Sequence, residues 1–450
     1  MGREENYVRR WNRRALAALV CCLALGLAAP TNAAYGRLPD GLRVTQRTER
    51  RNDTAKKLKA TRAYPDTAND AVDAEIAAVV DRLADAAEKK LPSKASKLAW
   101  ADTGATVRVT GTDTVSFLVL AQAAVDNERT WTAFETAVYQ LSTGRRLTLD
   151  DVLLPEADDA LRAAVREQLD AYFPDEPADP GALEALAAEV RTAPFTLSPA
   201  YLILHYRADC LYPGRLTLMH VRIPYRSLSG WLTDYARQET DNSGYLLAAM
   251  TFDDGPARGI TAGVLEAVRE HGAMATFFNL GPTMRTTHDY VAWEHDAGHA
   301  VESHTYSHTM GLEDKAIMFK ERDRFAREQI ALIGVAPHYM RAPGGMDKLY
   351  ADYGIGMPII RWNVLTGDAV EEAKARPSEF VDRMVHTLKD SAIILMHNLH
   401  RPSVTGAGLI LDKLDQRGYL YVTVDELFEI RSIPLEDNRV YFGDEADGQE

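Results

Sequence analysis

The chain has 450 residues, 46% of them apolar and 26% charged, a composition that supplies a core and excludes disorder over its length. Its 51 Lys and Arg stand against 65 Asp and Glu, and the net charge of −14 argues against a general affinity for nucleic acid, which rests on clustered basic residues. Three cysteines exclude a disulfide scaffold, and the length suits two or three domains.

Charge is uneven along the chain: residues 1–62 carry 14 Lys and Arg against 5 Asp and Glu, so the remainder is at −23. Arg9, Arg10, Arg13 and Arg14 precede an apolar run from Ala15 to Ala29, closed by Pro30 and the small residues Thr31 to Ala34. That order predicts a secretory signal over residues 1–34, cleaved near Ala33 or Ala34, with an uncleaved membrane anchor as the alternative. The run is shorter than the roughly 20 residues that span a bilayer. Removal of the signal takes Cys21 and Cys22 with it and leaves Cys210 as the single cysteine. Residues 35–62 read as a basic polar spacer, able to lie along anionic polymer or headgroups or to remain a solvated tail.

Residues 63–236 read as a smaller α+β module. Val72, Ile76, Val79, Val80, Leu83 and Ala86 fall on one face of a helix over Ala71–Lys90. Thr106–Val125 and Thr130–Leu141 read as strands joined through Asp126-Asn127-Glu128, Asp158–Tyr172 as a second helix, and Ala200–Tyr206 and Leu216–Ile223 as further strands. No cluster of His, Cys and carboxylates with ligand spacing occurs there, so the module reads as non-catalytic.

A polar break at 237–246 precedes strand-like runs that alternate with helical ones. The strands are Leu246–Phe252, Met274–Asn279, Ala300–Ser303, Met357–Trp362, Ala392–Met396 and Tyr419–Val424. The helices include Gly259–His271, Asp289–Ala297, Lys315–Ile333, Pro377–Lys389 and Gly408–Gln416. Such alternation predicts a parallel sheet, open or closed as a (β/α) barrel. Residues 433–450 read as an acidic tail.

Ten of the twelve histidines lie between His271 and His400, and functional groups gather at strand ends, the active face of such folds. Asp253 and Asp254 close the first strand; adjacent acids there need a cation or an Arg, and can divide the roles of metal ligand and base. His304 and His308, four apart, would share one metal from one face of a helical turn, without the glutamate base of a zincin. Arg341 can clamp a carboxylate, and Gly344-Gly345 lets backbone N–H groups approach a ligand. His397 ends a buried strand and suits a general acid near neutrality.

In this order the four groups resemble the motifs of the polysaccharide deacetylases, the NodB-like family 4 carbohydrate esterases, over residues 245–432. Thr251–Pro256 and His304–His308 match in full, and Met274–Phe278 and Gly298-His299 match the signposts between them. The resemblance implies a distorted (β/α) barrel in which Asp254, His304 and His308 bind one divalent metal, usually zinc, with cobalt or manganese as substitutes. Asp253 would be the base, Arg341 its orienting partner and His397 the acid. The Gly344 N–H would face the oxyanion, and Leu395 would line the acetyl pocket. Ala342 and Gly344 stand where the family usually has Pro and Tyr, and Asn398 where Asp is common. Trp362 and Asp368 are kept from the fourth motif, Leu365 replaces a carboxylate, and Asp368 is the acid left to support His397. The stretch Tyr139–Leu153, with Ile223-Pro224-Tyr225, resembles an extracytoplasmic domain found in lysozyme-sensing anti-sigma factors and before some peptidoglycan deacetylases.

The expectation is an exported hydrolase that removes N-acetyl groups from a cell-wall glycan, foremost peptidoglycan. Its alternatives are a non-catalytic wall-binding or sensor protein with a degenerate domain, and a deacetylase of chitin oligomers or an exopolysaccharide.

Overall fold

The computed structural model describes residues 42, 44–126, 128–310, 314–368, 377–385, 388–443 and 445–446. The expected signal segment lies outside them. Among the described residues no helix is long and apolar enough to cross a membrane, and Cys210 is free and exposed.

The chain first builds a six-stranded sheet in the order β1-β2-β3-β4-β5-β6, from Thr45–Asp53, Leu58–Asp66, Ala99–Thr110, Thr114–Val125, Glu128–Gln140 and Arg145–Arg146. The helix Asp70–Glu88 crosses between the parallel strands β2 and β3. Asn69 caps it by accepting from the Ala71 and Val72 N–H groups, and Val72, Ile76, Val80, Leu83 and Ala87 bury its inner stripe. A second, antiparallel sheet joins β7 (Phe195–Leu197), β8 (Tyr201–Arg207) and β9 (Leu218–Pro224).

Two expectations are corrected here. Residues 45–62 of the expected spacer are folded: Thr45–Asp53 pairs along its whole length with Leu58–Asp66. Its basic side chains find partners inside the chain, Arg50 on Glu266 and Glu270, Arg51 on Glu88, and Arg62 on Asp81, Asp85 and Glu88. A charged edge strand carries little apolar signal, which is why it reads as a tail. The run Thr106–Val125 is two strands rather than one. The chain reverses at Gly111, whose φ of 66° suits glycine and whose N–H donates to Asn242 Oδ1.

Past the helix Asp234–Glu239, strands β10 (Leu247–Asp253), β11 (Ala275–Asn279), β12 (Ala300–Ser303), β14 (Val364–Leu365) and β15 (Ala392–His397) form a parallel sheet in the order β12-β11-β10-β15-β14. Parallel bridges from Ser303 to Met340 and from Met340 to Ile359 carry it past β12 to β13 (Ile359–Ile360). Helices lie outside, so the whole is a distorted (β/α) barrel preceded by the α+β layers. The expected strand Met357–Trp362 is interrupted into β13 and β14. The strand expected over Tyr419–Val424 shrinks to β16 (Leu420–Tyr421), because Thr423 and Glu426 form a capping box that starts a helix at Val424. The expected tail is also folded in part: β17 (Val440–Phe442) pairs with β13 and with β18 (Glu445–Ala446), and Tyr441 is fully buried.

One apolar cluster joins Trp100, Leu120 and Ala124 of the first layers to Met250, Phe252 and Trp293 of the barrel. Buried ion pairs cross the same boundary, Arg269 with Asp102 at 2.6 Å, Arg108 with Glu426 at 2.8 Å and Arg129 with Asp296, beside a half-buried one, Arg222 with Asp425 at 2.5 Å. Glu239 accepts from the Thr112 and Asp113 N–H groups and ties the β3–β4 turn to the entry of the barrel. His205 and His220 meet Nδ1 to Nδ1 at 2.9 Å, and His220 reaches the His295 carbonyl at 3.1 Å.

Removing one member of a buried ion pair strands its partner, so Arg108→Ala is expected to cost about 3–5 kcal/mol and to lower one shared thermal transition of the whole chain. Burial pushes the His205 imidazole down to about 3 and, with its imidazole neighbours, holds His220 well below its ordinary value. Depressed imidazoles contribute stability that is complete above about pH 6.5 and is lost as pH falls. The melting temperature should therefore drop on acidification below that value, and His220→Gln should flatten the fall.

Candidate active site

Alternate residues of β10 face the barrel interior, so Thr251 and Asp253 share a face and Asp253 comes last. Arg341, fully buried, donates from Nη1 to Asp253 Oδ1 at 2.8 Å and to Thr251 Oγ1 at 2.7 Å, and from Nε to the Ile360 carbonyl at 3.1 Å. Its guanidinium also lies 4.2 Å from the Phe278 ring centroid. One acid at the strand end is thereby neutralised by an immobile cation.

Asp254 behaves differently. Its backbone leaves the strand with a φ of 70°, and its Oδ1 is buried without a hydrogen-bond partner among the described residues. That oxygen lies 3.5 Å from Nε2 of His304 and 3.5 Å from Nε2 of His308. The two histidines are not on a helical turn, as their spacing suggests. β12 ends at Ser303, and the chain bends through Thr305 (φ 68°) to His308 (φ 53°). Thr305 Oγ1 accepts from the His308 N–H, and Glu321 accepts from the Ser307 N–H, which fix the bend. His304 Nδ1 is 2.9 Å from the Arg341 carbonyl, so Nδ1 carries the proton and Nε2 offers its lone pair. Burial, then the neighbouring His304, holds His308 below its usual value, as a neutral ligand needs.

A divalent cation fits this donor set. One oxygen and two imidazole nitrogens of Asp254, His304 and His308 lie within 4.8 Å of one another, and the oxygen is otherwise orphaned.

Opposite Asp253, in register on β15, stands His397. Asp368 Oδ1 is 2.9 Å from His397 Nδ1, and Asp368 Oδ2 accepts from the His397 N–H at 2.8 Å and from Ser403 Oγ at 2.8 Å. Burial opposes charge on His397. The Asp368 hydrogen bond and charge outweigh it, with Asp253 and Asp254 further off, and raise the imidazole to about 9.

The sequence profile of the polysaccharide deacetylase family matches residues 241–353. A peptidoglycan-N-acetylglucosamine deacetylase of Bacillus cereus is 30% identical over 195 residues, 40% of this chain and 70% of that protein. The chain belongs to the polysaccharide deacetylase family. The peptidoglycan-N-acetylglucosamine deacetylase PgdA of Listeria monocytogenes is 35% identical over 183 residues, 40% of this chain and 38% of PgdA. The peptidoglycan-N-acetylmuramic acid deacetylase PdaC of Bacillus subtilis is 30% identical over 200 residues, 43% of this chain and 41% of PdaC. The chain thus spans about two fifths of the length of these last two relatives.

Where this chain departs from the family pattern, the structure shows the local reason. Gly344 has a φ of 63°, and a Cβ there would come within 2.7 Å of Met310 Sδ. Met310, two residues past His308, stands where an aromatic side chain at 344 would point. The exposed Gly344 sits at the rim, and Trp362 flanks the turn, its Cη2 lying 3.4 Å from where a Gly345 Cβ would be. Leu395 is buried two residues before His397, on the same face of β15. Sequence reasoning missed Thr251, Ser403 and Asp347. Thr251 could have been found from its two-residue spacing to Asp253; nothing in the chain pattern points to Ser403 or Asp347.

Added zinc or cobalt is expected to bind at one cation per chain and to raise the melting temperature. At a hundredfold excess over its dissociation constant the gain is about 2.7 kcal/mol. His308→Ala should abolish both effects in a calorimetric titration.

Proposed function

We propose that this chain is a metal-dependent N-deacetylase of cell-wall glycan that hydrolyses N-acetyl groups on the amino sugars of peptidoglycan to acetate and free amine. The observation that carries it is the split between adjacent acids: Asp253 is held by Arg341, while Asp254 faces two imidazoles with an unpartnered oxygen.

Asp254, His304 and His308 would hold the cation, and two imidazoles with one carboxylate suit zinc. When bound, it supplies Lewis-acid polarisation of the acetyl carbonyl. The chain's own groups supply the rest. Asp253, fixed by Arg341, accepts a proton from the attacking water. The Gly344 N–H, at the rim, faces the oxygen that gains charge. Leu395 lies beneath, where an acetyl methyl packs. His397, kept protonated by Asp368, donates its proton to the departing sugar nitrogen, and the carbonyl carbon–nitrogen bond breaks. Peptidoglycan is favoured by the relatives, peptidoglycan deacetylases that divide between N-acetylglucosamine and N-acetylmuramic acid. A wall substrate also agrees with export through residues 1–34, with or without retention at the membrane.

Wild type with added zinc, cobalt or manganese should release acetate from peptidoglycan, and Asp253→Asn should lose about 10²–10⁴-fold in kcat, the scale of a general base. No release from any glycan contradicts the catalytic reading; release from chitin oligomers alone moves the substrate. The acid must be protonated, so activity should persist on the alkaline side and fall as His397 loses its proton. Asp368→Asn removes the interaction that raises His397, and should shift that limb to lower pH.

A further inference from the structure

Arg341 uses three of its five N–H positions on Asp253, Thr251 and Ile360. Its Nη2 is buried without a hydrogen-bond partner among the described residues. Buried guanidinium donors are seldom left so, because each orphaned donor carries a desolvation cost. A second orphan lies nearby. Asp347 is 2% exposed, and among the described residues neither of its carboxylate oxygens has a hydrogen-bond partner in another residue. Its ion-pair neighbour, Arg361 Nε, is 3.6 Å away, beyond hydrogen-bonding distance.

Asp347 sits beneath the turn that follows Arg341. A Cβ on Gly345 would lie 4.0 Å from Asp347 Oδ2 and 3.4 Å from Trp362. Burial pushes the Asp347 carboxyl up, while Arg361, then Arg341, its own backbone N–H and more weakly His304 pull it down, so Arg341 is within electrostatic range. A donor without an acceptor and an acceptor without a donor, both buried beside the same turn, fit one internal solvent molecule with partners on each side.

We propose that Asp347 is the second counter-charge of Arg341, joined to its Nη2 through internal solvent, and is thereby a positioning residue for Asp253. The guanidinium is then held between two carboxylates: one presents itself to the substrate water and the other fixes the plane of the clamp. On this reading Asp347 acts only through Arg341. The role rests on the reading of Asp253 as the base.

The alternative is a purely structural acid, and the two give opposite results. An unpaired buried carboxylate without a role is destabilising, so Asp347→Asn would leave kcat unchanged and raise the melting temperature. On the proposal, Asp347→Asn lowers kcat for acetate release from peptidoglycan about tenfold or more, with KM within twofold of wild type. Because the effect runs through Arg341, Asp347→Asn should change kcat less than twofold when made in Arg341→Lys, which lacks Nη2. A kcat within twofold of wild type in the single variant overturns the proposal, as does an equal loss in the Arg341→Lys background. A high-resolution crystal structure of the wild type gives a readout free of activity. Ordered solvent within hydrogen-bond distance of both Arg341 Nη2 and Asp347 supports the bridge, and its absence overturns it. Should the wild type release no acetate, the deacetylase reading falls while the crystal structure still decides the bridge.

Discussion

Asp253 and Asp254 are neighbours at the end of one buried strand, and like charges so placed cannot persist without opposite charge. The ion pair from Arg341 Nη1 to Asp253 Oδ1, at 2.8 Å, resolves half of that conflict with a side chain that is fully buried and anchored at Thr251 and Ile360. The other half is left to Asp254, whose Oδ1 turns instead toward His304 and His308. The chemistry proposed for the site follows from this division. An acid paired with a fixed cation can serve as a base; an acid with an orphaned oxygen beside two imidazoles can serve as a ligand.

The barrel turns this local arrangement into a site by placing its other groups on neighbouring strands. β10 and β15 run parallel with Asp253 and His397 in register, so base and acid candidates face each other from adjacent strand ends. β12 delivers His304, and the parallel bridges through Met340 bring Arg341 into line. Arg341 further accepts from His304 through its carbonyl, so one residue sets both the carboxylate and the imidazole tautomer. The α+β layers share a core and buried ion pairs with the barrel, and the helix His288–Asp296 lies buried between the two.

The parts of the site that were legible in the chain are those in which residue type and strand-end position coincide: Asp253, Asp254, His304, His308, Arg341 and His397. Asp368 was legible as the one acid left near the fourth motif, and the structure sets it on His397. What failed was local conformation. A spacing of four suggests a helical turn, yet His304 and His308 lie on a bend held by left-handed residues. The strands β1 and β17 escaped notice because their pairing partners, rather than their own apolar content, hold them. Asp347 was invisible because its importance lies in what it lacks, a partner for either oxygen, and only coordinates show that.

The unequal roles of the two acids underlie the whole site, and anomalous diffraction from crystals grown with zinc or cobalt tests them most directly. The expected result is one strong peak bonded to Asp254, His304 and His308, with Asp253 still held by Arg341. A metal bonded to Asp253 with its pair to Arg341 broken, or a peak away from these three residues, would contradict it.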